Sequence, residues 1–365
     1  MRVALDGTPL LGARTGVGSV VAGFLGALAE RPDVDAVAYA VTWTGRNEFA
    51  AALPRGVRAA SRPFPARLVR ELWARVPAPM IERWTGPVDV VHALNFVAPP
   101  ARVPVIVMVH DLTFVRFPEL CTPDTLRYPD AIRRALARGA HVHVPSDFIG
   151  DEVRDEFRLA PDRVTRIYSG LAPTAGGDAA AGRRRAGAER YVLALGTVEP
   201  RKNLPTLVAA FDALASGDPE VRLVVAGPDG WGTDAFTAAV SRAHHRRRVH
   251  RLGWIDEEAR RDLLAGATAF AYPSLYEGFG LPPLEAMAAG TPVVAARVGA
   301  IPEVVGDAAE LVDPHDVDAL AAALQLVLAD PVHRSRLVAL GEARAAGFTW
   351  SRAATGAVAL YEALT

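Results

Sequence analysis

Phe270-Ala-Tyr-Pro-Ser-Leu-Tyr-Glu277-Gly-Phe-Gly280-Leu-Pro-Pro-Leu-Glu285-Ala-Met-Ala-Ala-Gly290-Thr-Pro-Val-Val-Ala-Ala-Arg-Val-Gly-Ala-Ile-Pro-Glu303 is the stretch whose reading decides the fold. Phe270 to Tyr272 is a short apolar run stopped by Pro273, the signature of a buried strand end. Two glycines within Glu277-Gly-Phe-Gly280 require a tight turn with positive φ. Pro282 and Pro283 suit the first turn of a helix, which needs no proline N–H. The helix then runs Leu284 to Ala289 and stops at Gly290, a good residue beyond a helix end. Thr291-Pro292 leads into a second buried strand, Val293 to Ala296. Strand, glycine turn, helix N-terminus, strand is a place where unpaired N–H groups attract an anion. Glu277 and Glu285 flank it as acceptors for hydroxyl groups. Anion donors beside hydroxyl acceptors suit a sugar phosphate. The same glutamates could equally complement the helix dipole, and the residues alone leave both readings open.

Outward from this stretch, the chain alternates strands, glycine turns and helices, the pattern of an α/β fold with parallel sheets. Its 365 residues suggest two domains. Half the residues are apolar and the net charge is −1, so bulk nucleic-acid binding is not implied. The lone cysteine, Cys121, admits no internal disulfide and fits a reducing compartment. Val3 to Leu5, interrupted by Asp6, is too short for a signal peptide core. Val103 to Val109 reads as a buried strand and is too short to span a membrane. These features predict a cytoplasmic protein.

Arg2 to Leu5 is expected as the first strand. A glycine-rich loop from Asp6 to Gly18 and a helix from about Ser19 to Glu30 follow, the opening of a nucleotide-binding half. Further strands are expected at Val34 to Val41, Val88 to Val91 and His141 to Val144. Residues 172–189 are mostly Ala, Gly and Arg and read as a linker. The expected organisation is therefore a domain over 1–172 joined by a C-terminal helix 349–365, a linker over 173–189, and a second domain over 190–348.

Three further segments carry chemistry. His110-Asp111 ends a parallel strand, where α/β folds bind ligands; the plain alternative is a helix-capping Asp111 beside a satisfied histidine. Gly196-Thr-Val-Glu-Pro-Arg201-Lys202-Asn203 sets two cations after a strand, able to hold a diphosphate by a planar fork and a point charge. Residues 55–83 hold seven arginines against Glu71 and Glu82. Within that segment Leu68, Val69, Leu72, Trp73 and Val76 fall on one stripe of an amphipathic helix, Ala66 to Val76. An ordinary helix packed on its domain explains that stripe; so does a basic interfacial helix that meets an anionic membrane or a lipid-linked acceptor. Asp33-Val-Asp35 and Asp316-Val-Asp318 have the spacing of a metal-binding D-x-D, but both lie in turns rather than after a strand, so no metal site is expected.

Glu277 and Glu285, seven residues apart in the Ser-Leu-Tyr-Glu-Gly-Phe-Gly-Leu-Pro-Pro-Leu-Glu-Ala-Met context, resemble the E-x7-E signature of retaining GT-B glycosyltransferases of family 4 (group 1). Val-His-Asp-Leu-Thr-Phe at Val109 to Phe114 and Glu-Pro-Arg-Lys-Asn at Glu199 to Asn203 resemble its mannosyltransferase-like branch. The resemblance implies two Rossmann-like domains facing across a cleft, with no cofactor or metal. It implies a nucleotide-sugar donor, with GDP-mannose favoured, and a saccharide, lipid-linked or small-metabolite acceptor. His110, Arg201, Lys202 and Glu277 would be the catalytic residues. The donor would be bound by Gly16, Gly18, Gly196, Gly227, Trp254, Ile255, Gly278, Phe279, Gly280, Leu281 and Glu285. The chain departs from the family at Ser19-Val20, where Arg-Tyr is usual, and at Ser169 and Ala172, where Asn and Asp are usual. An epimerase of the same architecture, and a sugar-nucleotide-binding subunit without activity, are the competing expectations. Peripheral contact of 55–83 with the inner membrane face is a further one.

Overall fold

The computed structural model describes residues 1–12, 16–63, 65–172 and 176–365. They form two compact units, Met1–Ala172 with Phe348–Thr365, and Pro173–Gly347.

The first unit is built on a parallel sheet of seven strands: β1 (Arg2–Asp6), β2 (Asp35–Thr42), β3 (Arg58–Pro63), β4 (Val90–Ala93), β5 (Val105–Met108), β6 (His141–Val144) and β7 (Val164–Arg166), in the order β3-β2-β1-β4-β5-β6-β7. The second has six: β8 (Arg190–Leu195), β9 (Val221–Ala226), β10 (Val249–Gly253), β11 (Ala269–Tyr272), β12 (Val293–Ala296) and β13 (Ala309–Val312), in the order β10-β9-β8-β11-β12-β13. Both orders begin in mid-sheet, run to one edge and resume on the other side of the first strand. This is the doubly wound Rossmann arrangement, and it makes two switch points, β1/β4 and β8/β11, at which loops from neighbouring strands part and leave a crevice. The central strands are buried on both faces, as the continuous apolar runs Val3 to Leu5 and Val192 to Leu195 require.

Several elements differ from the sequence-based expectation. β3, β7, β10 and β13 were not anticipated. All four are sheet edges, where half the surroundings is solvent and apolar patterning is not demanded; β3 reads Arg-Ala-Ala-Ser-Arg-Pro and β10 Val-His-Arg-Leu-Gly. The first helix begins at Gly16, three residues before the expected start at Ser19, and residues 13–15 of the expected loop lie outside those described. The expected linker contains a helix, Ala179–Ala186. Ala and Arg are strong helix formers, Asp178 caps the start by accepting from Ala180 N at 2.8 Å, and Arg185 pairs with the buried Asp262 at 3.1 Å. The low-complexity composition concealed an ordinary docked helix.

The basic helix Ala66–Arg75 resolves its own ambiguity by splitting. Val69 and Trp73 enter the core of the first unit, with Trp73 Nε1 donating to Pro79 O at 2.9 Å. Leu68, Leu72 and Val76 are 56%, 40% and 43% exposed. The apolar residues thus form two stripes, one packed and one facing outward.

The C-terminal helix Trp350–Leu364 belongs to the first unit. Trp350 packs edge-on against Phe24, with ring centroids 5.4 Å apart, and Tyr361 reaches His92 of β4 at 2.7 Å.

Candidate active site

The β8/β11 switch point gathers the second unit's chemistry-bearing residues. After β8 the chain enters a 3₁₀ turn, Pro200–Lys202, which ends at Asn203 with φ 52°. Asn203 fixes this turn from its side chain, with Nδ2 donating to Pro314 O at 2.8 Å and Pro273 O at 3.2 Å, while Thr206 donates to its Oδ1 at 2.7 Å. Asparagine tolerates the left-handed backbone and carries both a donor and an acceptor, so one residue does all three jobs. After β11 the chain passes Pro273 and reaches Glu277, whose carbonyl accepts from Ala300 N at 2.9 Å. Gly299, at φ 55°, lies so close to the Glu277 backbone that a Cβ would collide with it.

Lys202 and Arg201 converge on a single oxygen. Glu277 Oε1 receives Lys202 Nζ at 2.7 Å and lies 2.8 Å from Arg201 Nη1. Arg201 also donates to Tyr276 O at 2.8 Å and to Glu199 Oε1 at 2.6 Å. Lys202 donates to the Tyr272 hydroxyl at 2.9 Å and sits 4.7 Å from that ring's centroid. Burial alone would raise the Glu277 pKa; Arg201 and Lys202 outweigh it and hold the carboxyl at about 2. Burial pulls the Lys202 ammonium below its ordinary value, against the attraction of Glu277. Burial and then Glu277 push the Tyr272 phenol well up, so it stays protonated. In this cluster two cations balance Glu199 and Glu277.

The glycine turn delivers Gly280 as the N-cap of the helix Leu281–Ala288, at φ 108°. Pro282 and Pro283 have no N–H, so Leu281 is the only one of the first three helical residues with an amide to offer. Gly278, Phe279 and Gly280 are buried. Glu285, one turn further on, is only 8% exposed, and its Oε2 accepts Arg260 Nη2. Burial raises the Glu285 pKa, and Arg260 opposes that rise without cancelling it.

The ends of β8, β9 and β10 meet beside this site. Gly196 N donates to Ala226 O at 3.0 Å and Gly227 N to Gly253 O at 2.7 Å. Gly227, at φ 137°, lies against the Gly196 carbonyl with no room for a side chain. Trp254 is 70% exposed and Ile255 half-buried.

His110, Gly16 and Gly18 belong to the other unit. His110 follows β5 and donates through Nε2 to Leu94 O at 3.0 Å, beside Phe96. Asp111 accepts from Thr113 N at 2.9 Å and so does cap the short helix Thr113–Arg116. The plain reading of this pair is therefore realised in the fold; it leaves Nδ1 of His110 for another role. Gly16 is exposed and Gly18 buried at the start of the first helix. Of the aspartates with D-x-D spacing, Asp33 pairs with Arg31, Asp35 with Arg58, and Asp316 caps the helix Val317–Ala329.

Sequence reasoning missed Tyr272, Gly299 and Arg260. Tyr272 looked like the end of a buried strand. Gly299 carries no local signal that sets it apart from the other glycines of the stretch. Arg260 lies on a helix whose packing against Glu285 no local pattern announces.

Residues 180–344 match the family described as Glycosyl transferases group 1, and residues 14–174 match Glycosyltransferase Family 4. The chain is 33% identical over 282 residues to the O-antigen chain mannosyltransferase B of Escherichia coli, covering 75% of this chain and 74% of that protein. It is 29% identical over 282 residues to a D-inositol 3-phosphate glycosyltransferase of Rhodococcus jostii, covering 72% of this chain and 62% of that one. The solved structure of a sucrose-phosphate synthase from Thermosynechococcus elongatus matches with a TM-score of 0.79 at 22% identity, over 100% of this chain and 98% of that one. Its likeness is one of fold.

Proposed function

Because the chain belongs to the group 1, family 4 glycosyltransferases, enzymes that transfer a hexose from a nucleotide sugar, we propose that it moves mannose from GDP-mannose to a hydroxyl of a glycan, lipid-linked saccharide or small metabolite, with retained anomeric configuration and no metal. The observation that carries this reading is the convergence of Lys202 and Arg201 on one oxygen of Glu277.

A diphosphate brings more negative charge than a single carboxylate. Arriving at this cluster, it takes over the two cations, and Glu277 turns its lone pairs to hydroxyls of the sugar. When the bond from the anomeric carbon to the phosphate oxygen breaks, its electron pair goes to that oxygen. Arg201 and Lys202 already face the growing charge, so no reorganisation is needed at that moment. The acceptor oxygen bonds to the anomeric carbon from the same face, and its proton passes to the departing phosphate. The Leu281 amide supplies one further donor. Glu285 accepts from the ribose hydroxyls, and the Gly253-Trp254-Ile255 segment lies along the base. The resemblance of the E. coli relative favours mannose.

A thermal-shift screen of GDP, UDP and ADP tests the donor. A ligand at 100 times its dissociation constant stabilises by about 2.7 kcal/mol. GDP alone should shift the transition. A shift with UDP alone would overturn the GDP assignment.

The outward stripe Leu68, Leu72 and Val76 supports one finer partner. Exposed Arg55, Arg75 and Arg83 accompany it, and apolar insertion with basic flanks suits an anionic lipid surface. Vesicles containing anionic phospholipid should bind the protein at low salt and release it as salt rises. No binding at low salt would return this stripe to ordinary surface.

A further inference from the structure

Glu285 is buried one helical turn from the anion-attracting end of Leu281–Ala288. Its two oxygens are not equivalent. Oε2 is taken by Arg260, which rises from the helix Glu257–Gly266 immediately after the Gly253-Trp254-Ile255 segment. Among the described residues, the side-chain hydrogen bond that Glu285 accepts is the one from Arg260, at Oε2. The Arg260 helix is itself anchored: Leu263 and Leu264 are buried in the second unit, and Asp262 pairs with Arg185 of the helix Ala179–Ala186 at 3.1 Å. Arg260 therefore reaches Glu285 from a fixed base, with a planar head suited to a carboxylate.

We propose that Arg260 is a positioning residue for the donor nucleotide: by clamping Oε2 it fixes the orientation of the Glu285 carboxylate and presents Oε1 to the vicinal hydroxyls of ribose. This rests on the ribose reading of Glu285 given above. A buried carboxylate without its cation takes up a proton or rotates, and in either case it ceases to be a two-hydroxyl acceptor. Burial already raises the affinity of Glu285 for a proton, which is why the clamp matters here. A purely structural ion pair between two helices would hold the fold together equally well; it would be indifferent to whether the ligand carries ribose hydroxyls.

Calorimetric binding of GDP and of 2′,3′-dideoxy-GDP separates the two, with the corresponding UDP pair run alongside. The native enzyme should prefer the ribose form by roughly 10-fold or more, the worth of hydrogen bonds to a charged acceptor. Arg260→Met, which keeps the apolar stem, should reduce that preference to about twofold or less and raise the donor KM on the order of tenfold, with kcat and the acceptor KM little changed. Arg260→Lys should recover part of the preference, since a point charge still neutralises the carboxylate. A native enzyme that discriminates beside an Arg260→Met variant that discriminates equally would overturn the positioning role and leave the ribose reading standing, even if that variant melts at a lower temperature. A native enzyme without any preference would overturn both. Binding of neither GDP nor UDP to the native enzyme would overturn the nucleotide site itself.

Discussion

Lys202 Nζ lies 2.7 Å from Glu277 Oε1, across 75 residues of sequence. The contact joins the loop after β8 to the loop after β11, the two sides of the switch point. Both cations beside it are met by carboxylates, Arg201 by Glu199 and Glu277 and Lys202 by Glu277, so the cluster is internally neutralised.

Arg201→Ala and Lys202→Ala should each lose transfer while staying folded, because both side chains line the site rather than the core. Removing one preorganised charge donor costs on the order of 10²–10³ in kcat. The two losses should not add, since both residues act on one leaving group. Lys202→Arg should restore only part of the rate, because a planar fork cannot occupy the place of a compact ammonium between Tyr272 and Glu277. Steady-state kinetics at saturating donor decide this; near-normal kcat in a folded double alanine variant would refute the site.

The two glutamates should fail differently. Glu285→Gln should weaken binding of the nucleoside diphosphate itself, by the 1.5–3 kcal/mol, roughly, that charge-assisted hydrogen bonds contribute. Glu277→Gln should leave nucleotide binding nearly intact and damage transfer, because its proposed partners are on the sugar. Equal loss of nucleotide affinity in both variants would show that these roles are misassigned.

Activity should survive excess EDTA. The expectation rests on Arg201, Lys202 and the Leu281 amide supplying the positive charge that a divalent ion brings to other transferases. Loss of activity that magnesium or manganese restores would contradict it.

How much of this was legible beforehand follows from where the information lies. The glycine turn and both glutamates were readable because backbone strain and helix starts write themselves into local composition. The Arg201-Lys202 pair was readable because cations at a helix start conflict with its dipole and demand a reason. β3, β7, β10 and β13 were not, since an edge strand needs no apolar run. The helix Ala179–Ala186 was hidden by its own simplicity. The stripe Leu68 to Val76 could be seen but not divided, because which apolar residues face inward depends on a sheet assembled from distant segments. Arg260 and Gly299 matter only through contacts of that tertiary kind, with Glu285 and with the Glu277 backbone.

The last prediction concerns stability in the first unit. A buried relay ties the C-terminal helix to the sheet: the Tyr361 hydroxyl is 2.7 Å from His92 Nδ1, His92 Nε2 is 3.0 Å from His143 Nδ1, and His143 Nε2 is 3.1 Å from Ile167 O. The carbonyl can only accept, so His143 carries its proton on Nε2 and accepts at Nδ1. His92 must then donate from Nε2 and accept at Nδ1, and Tyr361 must donate. The chain is complete only with both rings neutral. Burial holds both below the ordinary histidine value, His143 at about 3, and the neighbouring His110 and His141 act in the same direction. A depressed folded-state pKa means that the unfolded chain binds the proton first. The contribution is therefore fully present above the unfolded value of about 6.5 and is lost as pH falls from there toward 3, at up to about 1.4 kcal/mol per pH unit for each histidine. Urea unfolding of the native protein at pH 7.5 and 5.5 should show this loss, and a His92→Phe/His143→Leu variant should show a flatter dependence between the two. Tyr361→Phe should instead lower stability at both pH values, by about 1–3 kcal/mol for the acceptor left unpaired on His92. An unchanged pH dependence in the double variant would show that these two histidines do not stay neutral in the folded protein.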